Sequence, residues 1–167
     1  PSSRITILGA GLMGRLLAVA LAQQGCHIDI HDAAGPDAEL SAARVAAAML
    51  APLAESAVSE PGIVRMGQYA MRRWPELLAM LARPVFFQQN GTLIVWHRQD
   101  AADAARLHDK LRHTHALLPD LPAAQALDET LLAQREPMLA GRFHEGLYLP
   151  GEGQLDNRQL LAALHER

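Results

Sequence analysis

The stretch RITILGAGLMGRLLAVALAQQGCHIDIHD, residues 4 to 32, decides the fold of this chain. It begins with an apolar run, Ile5–Leu8, that leads directly into Gly9, a pattern typical of a buried parallel strand that ends in a tight turn. A helix is predicted next, and Gly25 stands where a left-handed residue ends a helix. Its inner face is predicted to carry Leu16, Leu17, Ala20 and Leu21. A second strand from Cys26 to Asp32 completes a βαβ unit.

Three glycines at the first turn have the spacing G-x-G-x-x-G, at Gly9, Gly11 and Gly14. Gly9 permits the turn, Gly11 lets the backbone approach a pyrophosphate, and Gly14 lets the helix pack closely on the strand. The following helix N-terminus offers free N–H groups to a phosphate. Asp32 ends the second strand, where a carboxylate accepts hydrogen bonds from the adenosine ribose. This order predicts a dinucleotide site for FAD or NAD rather than NADP.

The next part of the chain does not continue the strand–helix alternation of a dehydrogenase sheet. Residues 38 to 60 are rich in alanine and contain no convincing strand. Pro61 is predicted to open a helix, which Pro75 should break or kink. The apolar residues of this helix have helical spacing and are expected to pack in a core: Ile63, Met66, Ala70, Trp74, Leu77 and Leu81.

The second half of the chain has the pattern of a mixed, largely antiparallel region. Asn90-Gly91 lies between two β-rich runs, 85–89 and 92–97, and predicts a hairpin. A helix is predicted from Asp100 or Asp103 to about His115, with Leu107 and Leu111 on its inner face. A short helix over 128–136 and a strand over 143–149 follow. The last predicted helix has Asp156 and Gln159 at capping-box spacing, and its apolar face carries Leu160, Leu161 and Leu164.

Composition excludes several classes of protein. Half of the 167 residues are hydrophobic and a fifth are charged, as in a soluble globular protein. The net charge of −3 gives no reason to expect nucleic acid or an anionic membrane as a partner, and no apolar run reaches the roughly 18 residues of a membrane span. Cys26 is the only cysteine, which favours a cytoplasmic setting. His108, His113 and His115 do not share a helical face, so no metal site is predicted.

Four stretches of the chain are similar to the N-terminal half of the FAD-dependent D-amino-acid oxidase family, and most similar to its glycine oxidases. These stretches are ILGAGLMGRLLAVALAQQGCHIDIHD (7–32), AAAMLAPLAE (46–55), NGTLIVW (90–96) and GLYLPGEGQLDNRQLLAAL (146–164). The resemblance implies FAD as the cofactor. It also implies an α/β fold in which residues 1–80 and 151–167 form a discontinuous Rossmann-like FAD-binding domain. Residues 81–150 would belong to an antiparallel α+β substrate domain, and the fold would be incomplete in this chain.

The resemblance also assigns cofactor-binding residues beyond the three glycines. Leu12 and Met13 would line the phosphate turn, while Asp32 and Ala33 would meet the adenosine ribose. The isoalloxazine ring would lie near Ala47, Ala48 and Met49. Family members usually have glycine where this chain has Ala48, which adds a Cβ where the backbone approaches the cofactor. Arg44 either pairs with the pyrophosphate or is solvated, and the sequence leaves both readings open.

The resemblance implies that the whole enzyme oxidises glycine or another small amino acid. Hydride would pass from the substrate Cα to the flavin, and O2 would then be reduced to hydrogen peroxide. In the family the substrate-binding arginine and the active-site tyrosines lie in the C-terminal half, so no catalytic residue is assigned here. That half is expected as a partner, either lost by truncation or present as a separate chain, and a homo-oligomer is also open. Two alternatives are an NAD-dependent dehydrogenase and a non-catalytic cofactor-binding subunit.

Overall fold

A computed structural model of the protein describes residues 3 to 167 and divides the chain into two compact units. The first unit comprises the chain up to Ala48, together with Trp74–Phe87 and Leu155–Arg167; the second comprises Met49–Arg73 and Gln88–Gln154. The α/β class is confirmed. The assignment of 1–80 with 151–167 to a cofactor domain and of 81–150 to a substrate domain stays a prediction.

The secondary structure alternates short strands with helices along the chain. In order, the elements are β1 (Arg4–Leu8), α1 (Leu12–Ala22), β2 (His27–His31), α2 (Ala42–Val45), β3 (Met49–Leu50), α3 (Pro52–Glu55), α4 (Pro61–Ala79), β4 (Phe87–Gln88), β5 (Thr92–Val95), α5 (Ala101–Leu117), β6 (Gln125–Asp128), α6 (Glu129–Arg135), β7 (Glu145–Leu149), β8 (Gly153–Leu155) and α7 (Asn157–His165). Across residues 3 to 167, no helix has both the length and the apolar character needed to cross a bilayer.

The predicted βαβ unit is present in the first unit. β1 and β2 pair in parallel, in a register that runs from Arg4 opposite His27 to Leu8 opposite His31. Gly25 has a φ of +81°, as predicted for the residue that follows the helix. The predicted inner face of α1 is wrong at Leu17 and Ala20, which are exposed, while Leu16 and Leu21 are half-buried. The buried residues of the helix are Arg15 and Val19. α1 packs against α7, and the hydrogen bonds of Arg15 turn that side of the helix inward.

Helix α4 begins at Pro61 as predicted, but Pro75 does not end it, because the helix continues to Ala79. The expected core stripe is wrong in its first turns. Ile63 and Met66 are exposed, and the buried residues are Val64 and Met71. Two apolar stripes that are offset by one residue both satisfy helical spacing, so packing against the core decides which of them is buried.

The hairpin predicted at Asn90-Gly91 is wrong. β4 belongs to a three-stranded sheet of order β3-β8-β4, whereas β5 belongs to a second sheet of order β5-β7-β6. Gly91 has the positive φ of +86° that such a turn requires, but its N–H donates to the carbonyl of Glu152 at 2.9 Å. The turn therefore passes the chain from one sheet to the other. The sequence reading also missed β6 and the two-residue strand β3.

The core of the second unit is built on β7, which pairs antiparallel with β5 on one side and β6 on the other. Leu147 and Leu149 of β7 are fully buried against Leu111 of α5. The predicted inner face of α5 is thus confirmed, although the Asp100 side chain makes no capping hydrogen bond. The short helix α6 begins as predicted, with the Asp128 carboxylate accepting from the N–H of Leu131 at 2.8 Å.

Helix α7 ends the first unit, and its buried apolar face of Leu160, Leu161 and Leu164 is confirmed. The predicted capping box is only half present. Asp156 accepts from the N–H of Gln159 at 2.8 Å, but Gln159 does not return the bond. The N–H of Phe86 donates to the side-chain oxygen of Gln159 at 2.8 Å, and the N–H of Asp156 donates to the carbonyl of Phe86. A neighbouring segment has replaced the reciprocal bond.

Candidate cofactor-binding site

A cavity of about 540 Å³ opens in the first unit at the carboxyl ends of β1 and β2. The glycine turn and Asp32 form one side of it, and residues 38 to 43 form the other. Of the predicted site residues, the structure brings together Gly9, Gly11, Leu12, Met13, Gly14 and Asp32. Ligands of α/β sheets bind at this end of the strands, so the cavity lies where a dinucleotide is expected.

The backbone of the glycine turn has the geometry that its sequence predicts. Gly9 has a φ of +107°, and its N–H donates to the carbonyl of His31 at 2.7 Å. A Cβ on Gly14 would lie 1.9 Å from the carbonyl oxygen of Gly9, so only glycine permits this packing. Helix α1 begins directly after Gly11, which caps it without a side-chain hydrogen bond. The first N–H groups of α1 therefore remain available to an anion.

Asp32 has a role in the loop that the sequence reading did not foresee. Its carboxylate accepts hydrogen bonds from the N–H of Ala10 at 2.5 Å and from the N–H of Ala34 at 2.7 Å. These two bonds, that from Ala10 foremost, hold the pKa of Asp32 below its ordinary value. The ionised carboxylate thus ties the glycine turn to the loop after β2. Each of its oxygens has a further lone pair with which to accept a ribose hydroxyl.

Arg15 is a buried residue behind the glycine turn for which no prediction was made from the sequence. Arg15 directly follows the third glycine of the motif and is only 3% exposed. The guanidinium donates to the carbonyls of Ala10, Pro36 and Leu161, each at 2.6 Å. Burial is the main influence on the pKa of Arg15 and lowers it, while an arginine in a protein stays charged. A charged residue on a predicted helix face was the only signal in the sequence.

Asn157, the first residue of α7, binds the backbone of residues 43 to 46, at the end of the cavity wall formed by residues 38 to 43. Its side-chain amide donates to the carbonyl of Ala46 at 2.7 Å and also to that of Ala43. Arg44 in this segment donates to the carbonyl of Asp37 at 2.9 Å, so its guanidinium is engaged with the loop backbone. The segment before the predicted flavin-facing residues is therefore held both by Asn157 of α7 and by the hydrogen bond from Arg44 to the loop.

Ala48 has a backbone conformation that L-residues rarely adopt. Its φ is +56°, in the left-handed region that favours glycine. This is the position at which the resemblance predicts glycine. Ala33, Ala47 and Ala48 are not part of the cavity lining, and Met49 lines a different cavity in the second unit. Their contacts with a cofactor stay a prediction.

The cavity in the second unit has a volume of about 350 Å³ and is lined by Met49, Asn90, Arg135 and Tyr148, among others. The Tyr148 hydroxyl donates to the carbonyl of Asn90 at 2.9 Å. The guanidinium carbon of Arg135 lies 3.6 Å from the centre of the Tyr148 ring, a cation–π contact. These contacts give one wall of the cavity a fixed aromatic surface.

Glu152 is a buried carboxyl in the second unit, and its side chain is 1% exposed. One oxygen accepts from the N–H of Ala54 at 2.7 Å, near the start of α3. Within the described residues, the other oxygen has no hydrogen-bond partner. Burial raises the pKa of Glu152, and the bond from Ala54 opposes this only in part. The residues described contain no group of three metal-ligating side chains.

The comparisons with known proteins agree on one family. Residues 4–167 match the family described as "DAO: FAD dependent oxidoreductase". A thiamine biosynthesis oxidoreductase, ThiO, of Rhizobium etli is 33% identical over 161 residues, which is 96% of this chain and 44% of that protein. The cavity, the glycine turn and Asp32 thus lie in a chain that matches flavoenzymes along nearly its whole length.

Solved structures show the same fold. The glycine oxidase of Geobacillus kaustophilus superposes with a TM-score of 0.77 at 24% identity, over 98% of this chain and 44% of that one. The iminodiacetate oxidase of Chelativorans sp. superposes with a TM-score of 0.77 at 21% identity, over 96% of this chain and 43% of that one. The chain therefore spans less than half the length of the relatives that it matches.

Proposed function

Because the chain belongs to the family of FAD dependent oxidoreductases, we propose that its first unit binds the adenosine diphosphate part of FAD in the cavity beside the glycine turn. The observation that carries this proposal is the convergence of the glycine turn, the N-terminus of α1 and the Asp32 carboxylate on one cavity. The N-terminus of the helix presents free N–H groups to the pyrophosphate. The carboxylate accepts from the ribose hydroxyls.

The individual residues divide by the part of FAD that they would contact. The phosphate turn comprises Gly9, Gly11, Leu12, Met13 and Gly14, and the adenosine ribose is bound by Asp32 and Ala33. We assign Ala47, Ala48 and Met49 to the isoalloxazine ring on the strength of the family resemblance. Ala48 supports this assignment, because its positive φ is one that glycine, the residue the family usually has there, adopts without strain.

We further propose that the whole protein is an amino-acid oxidase that acts on glycine or another small amino acid. The flavin, when bound, supplies the redox chemistry by accepting hydride from the substrate and passing electrons to O2. The ThiO relative and the glycine oxidase fold support this reaction class. This chain binds and orients the cofactor. The groups that hold the substrate carboxylate would come from the part of the family fold that lies outside the matched 44%.

The cofactor assignment is tested by titrating the purified protein with FAD and with NAD. We expect FAD to bind in preference, with flavin absorbance near 370 and 450 nm, roughly the values of any flavin. Asp32→Ala should weaken FAD binding about tenfold, because it removes the ribose acceptor and loosens the turn. Glu39→Ala, an exposed acid that does not line the cavity, is the control. Tighter binding of NAD would reject the proposal in favour of a dehydrogenase.

The reaction assignment needs a separate measurement. Protein that retains flavin is mixed with glycine or sarcosine, and hydrogen peroxide release is followed together with bleaching of the flavin spectrum. We expect both signals in a preparation that contains the whole enzyme. Flavin binding with no bleaching by any small amino acid would instead favour a non-catalytic cofactor-binding subunit.

A further inference from the structure

Arg15 carries a buried positive charge that no carboxylate neutralises by contact. In the part of the chain that the structure describes, its donors go to three uncharged carbonyls, and it takes part in no ion pair. Only the more distant charges of Asp32 and Asp37 act on it. Buried charges in proteins are normally paired, because leaving water is costly for an ion. A further negative charge nearby would therefore make the burial of Arg15 more favourable.

The placement of the guanidinium indicates where that negative charge would be. Its Nε–H donates a hydrogen bond to the carbonyl of Ala10, which lies between Gly9 and Gly11 in the turn. The N-terminus of α1, whose first N–H groups are free, lies beside the cavity at which a pyrophosphate is expected, whereas the N–H groups of Gly9 and Ala10 donate to His31 and Asp32. Three of the five N–H groups of Arg15 donate to carbonyls, and Arg15 does not line the cavity, so it is not placed to contact a phosphate there directly. It can act on the phosphate through its electric field and through the position of Ala10.

We propose that Arg15 is a positioning residue whose charge is completed by the pyrophosphate of the bound dinucleotide. This inference rests on the proposed function of the cavity. The affinity of the cavity for the phosphates then depends on a buried charge outside the glycine motif. Phosphate binding at the free N–H groups of a helix N-terminus gains from a nearby cation, because an interaction of two charges is weakly screened when one of them is buried.

If Arg15 had only a structural role, its loss would change ligand binding in a different way. The side chain joins the glycine turn, the loop at Pro36 and the helix α7 through Leu161, so its loss could simply loosen the unit. Loosening would weaken every ligand of the cavity alike. A charge effect would weaken only ligands that carry phosphate. Comparing ADP with adenosine, which share the base and the ribose, separates the two roles.

The experiment measures ADP and adenosine binding by calorimetry to the purified protein and to Arg15→Gln and Arg15→Lys. We expect Arg15→Gln to weaken ADP binding about tenfold and to change adenosine binding less than twofold. Arg15→Lys, which keeps the charge but not the three-way hydrogen bonding, should retain the wild-type ratio of ADP to adenosine affinity. Arg4→Gln is the control, since Arg4 is an exposed arginine of β1 that is paired with Asp29.

The outcomes distinguish this inference from the proposed function. Equal weakening of ADP and adenosine in Arg15→Gln, or none in ADP, would overturn the inference while wild-type binding upholds the site. If Arg15→Gln does not fold, as judged by its thermal unfolding, Arg15→Lys decides alone: loss of the wild-type affinity ratio overturns the charge effect. Failure of the wild-type protein to bind ADP would overturn both the inference and the cofactor assignment.

Discussion

The hydroxyl of Tyr148 donates to the carbonyl of Asn90, and the Tyr148 ring fills the space beside Gly91 in which a side chain would lie. This contact takes the place of the cross-strand pairing that Asn90-Gly91 would make in a hairpin. The N–H of Gly91 is directed instead to the carbonyl of Glu152. A sequence that is a strong signal for a local turn thus serves as a junction between two sheets.

Gly91→Ala should destabilise the protein by about 3 kcal/mol. The alanine Cβ would lie 2.2 Å from the Tyr148 ring, and the φ of +86° is unfavourable for any residue with a Cβ. The measurement is the free energy of unfolding in urea. Gly35→Ala is the control, because a Cβ there meets nothing within 4 Å. Equal losses in the two variants would contradict the contact with Tyr148.

Ala48→Gly should stabilise the protein by about 0.5 to 1 kcal/mol. Glycine adopts the φ of +56° without the steric penalty that alanine suffers, and this gain exceeds the added entropy of the unfolded chain. Thermal unfolding of the purified protein measures the difference. Ala46→Gly, in the same segment at an ordinary φ of −68°, should destabilise it instead. A destabilised Ala48→Gly would show that the methyl group packs favourably.

Asn157→Ala should loosen residues 41 to 48 and destabilise the protein by about 1 to 2 kcal/mol. The carbonyls of Ala43 and Ala46 lose a partly buried donor that the side chain supplies to both. Hydrogen exchange of the amides in this segment should accelerate, as followed by mass spectrometry. Arg158→Ala, at the exposed neighbouring position, is the matched control. Unchanged exchange in Asn157→Ala would mean that the segment is held by other contacts.

Glu152→Gln should remove a pH dependence of stability that the wild-type protein has. Because burial raises the pKa of Glu152 in the folded state, its stabilising contribution is complete below the ordinary value of 4.5. It is lost as the pH rises through the raised folded value. Urea unfolding between pH 4.5 and 8 should therefore show wild type falling relative to Glu152→Gln.

The control for this pH series is Glu145→Gln, an exposed glutamate of β7. Glu152→Ala should be less stable than wild type by about 1 to 3 kcal/mol, since the N–H of Ala54 loses its acceptor. A wild-type profile parallel to that of Glu152→Gln across the pH series would show that the carboxyl titrates normally.

Predictions from the sequence were correct where the structure depends on residues close in sequence. The βαβ unit, the positive φ of Gly25 and the short helix near residues 128 to 136 depend on residues close in sequence, and all were predicted. The failures involve distant partners. Gln159 pairs with Phe86 rather than with its own helix, and β4 and β5 pair with strands far along the chain. Local patterns cannot reveal these choices, since the competing arrangements are locally equivalent.

By itself, the sequence determined that a glycine turn, a helix N-terminus and an acidic residue meet at the ends of two parallel strands. Glycine spacing and apolar periodicity are properties of neighbouring residues, so no tertiary contact is needed to read them. Only the tertiary structure decided that Arg15 lies buried behind that turn and that Asn157 holds the segment facing it. Both depend on α7, about 140 positions after the turn, and burying a charge or an amide is favourable only when such distant carbonyls are in place.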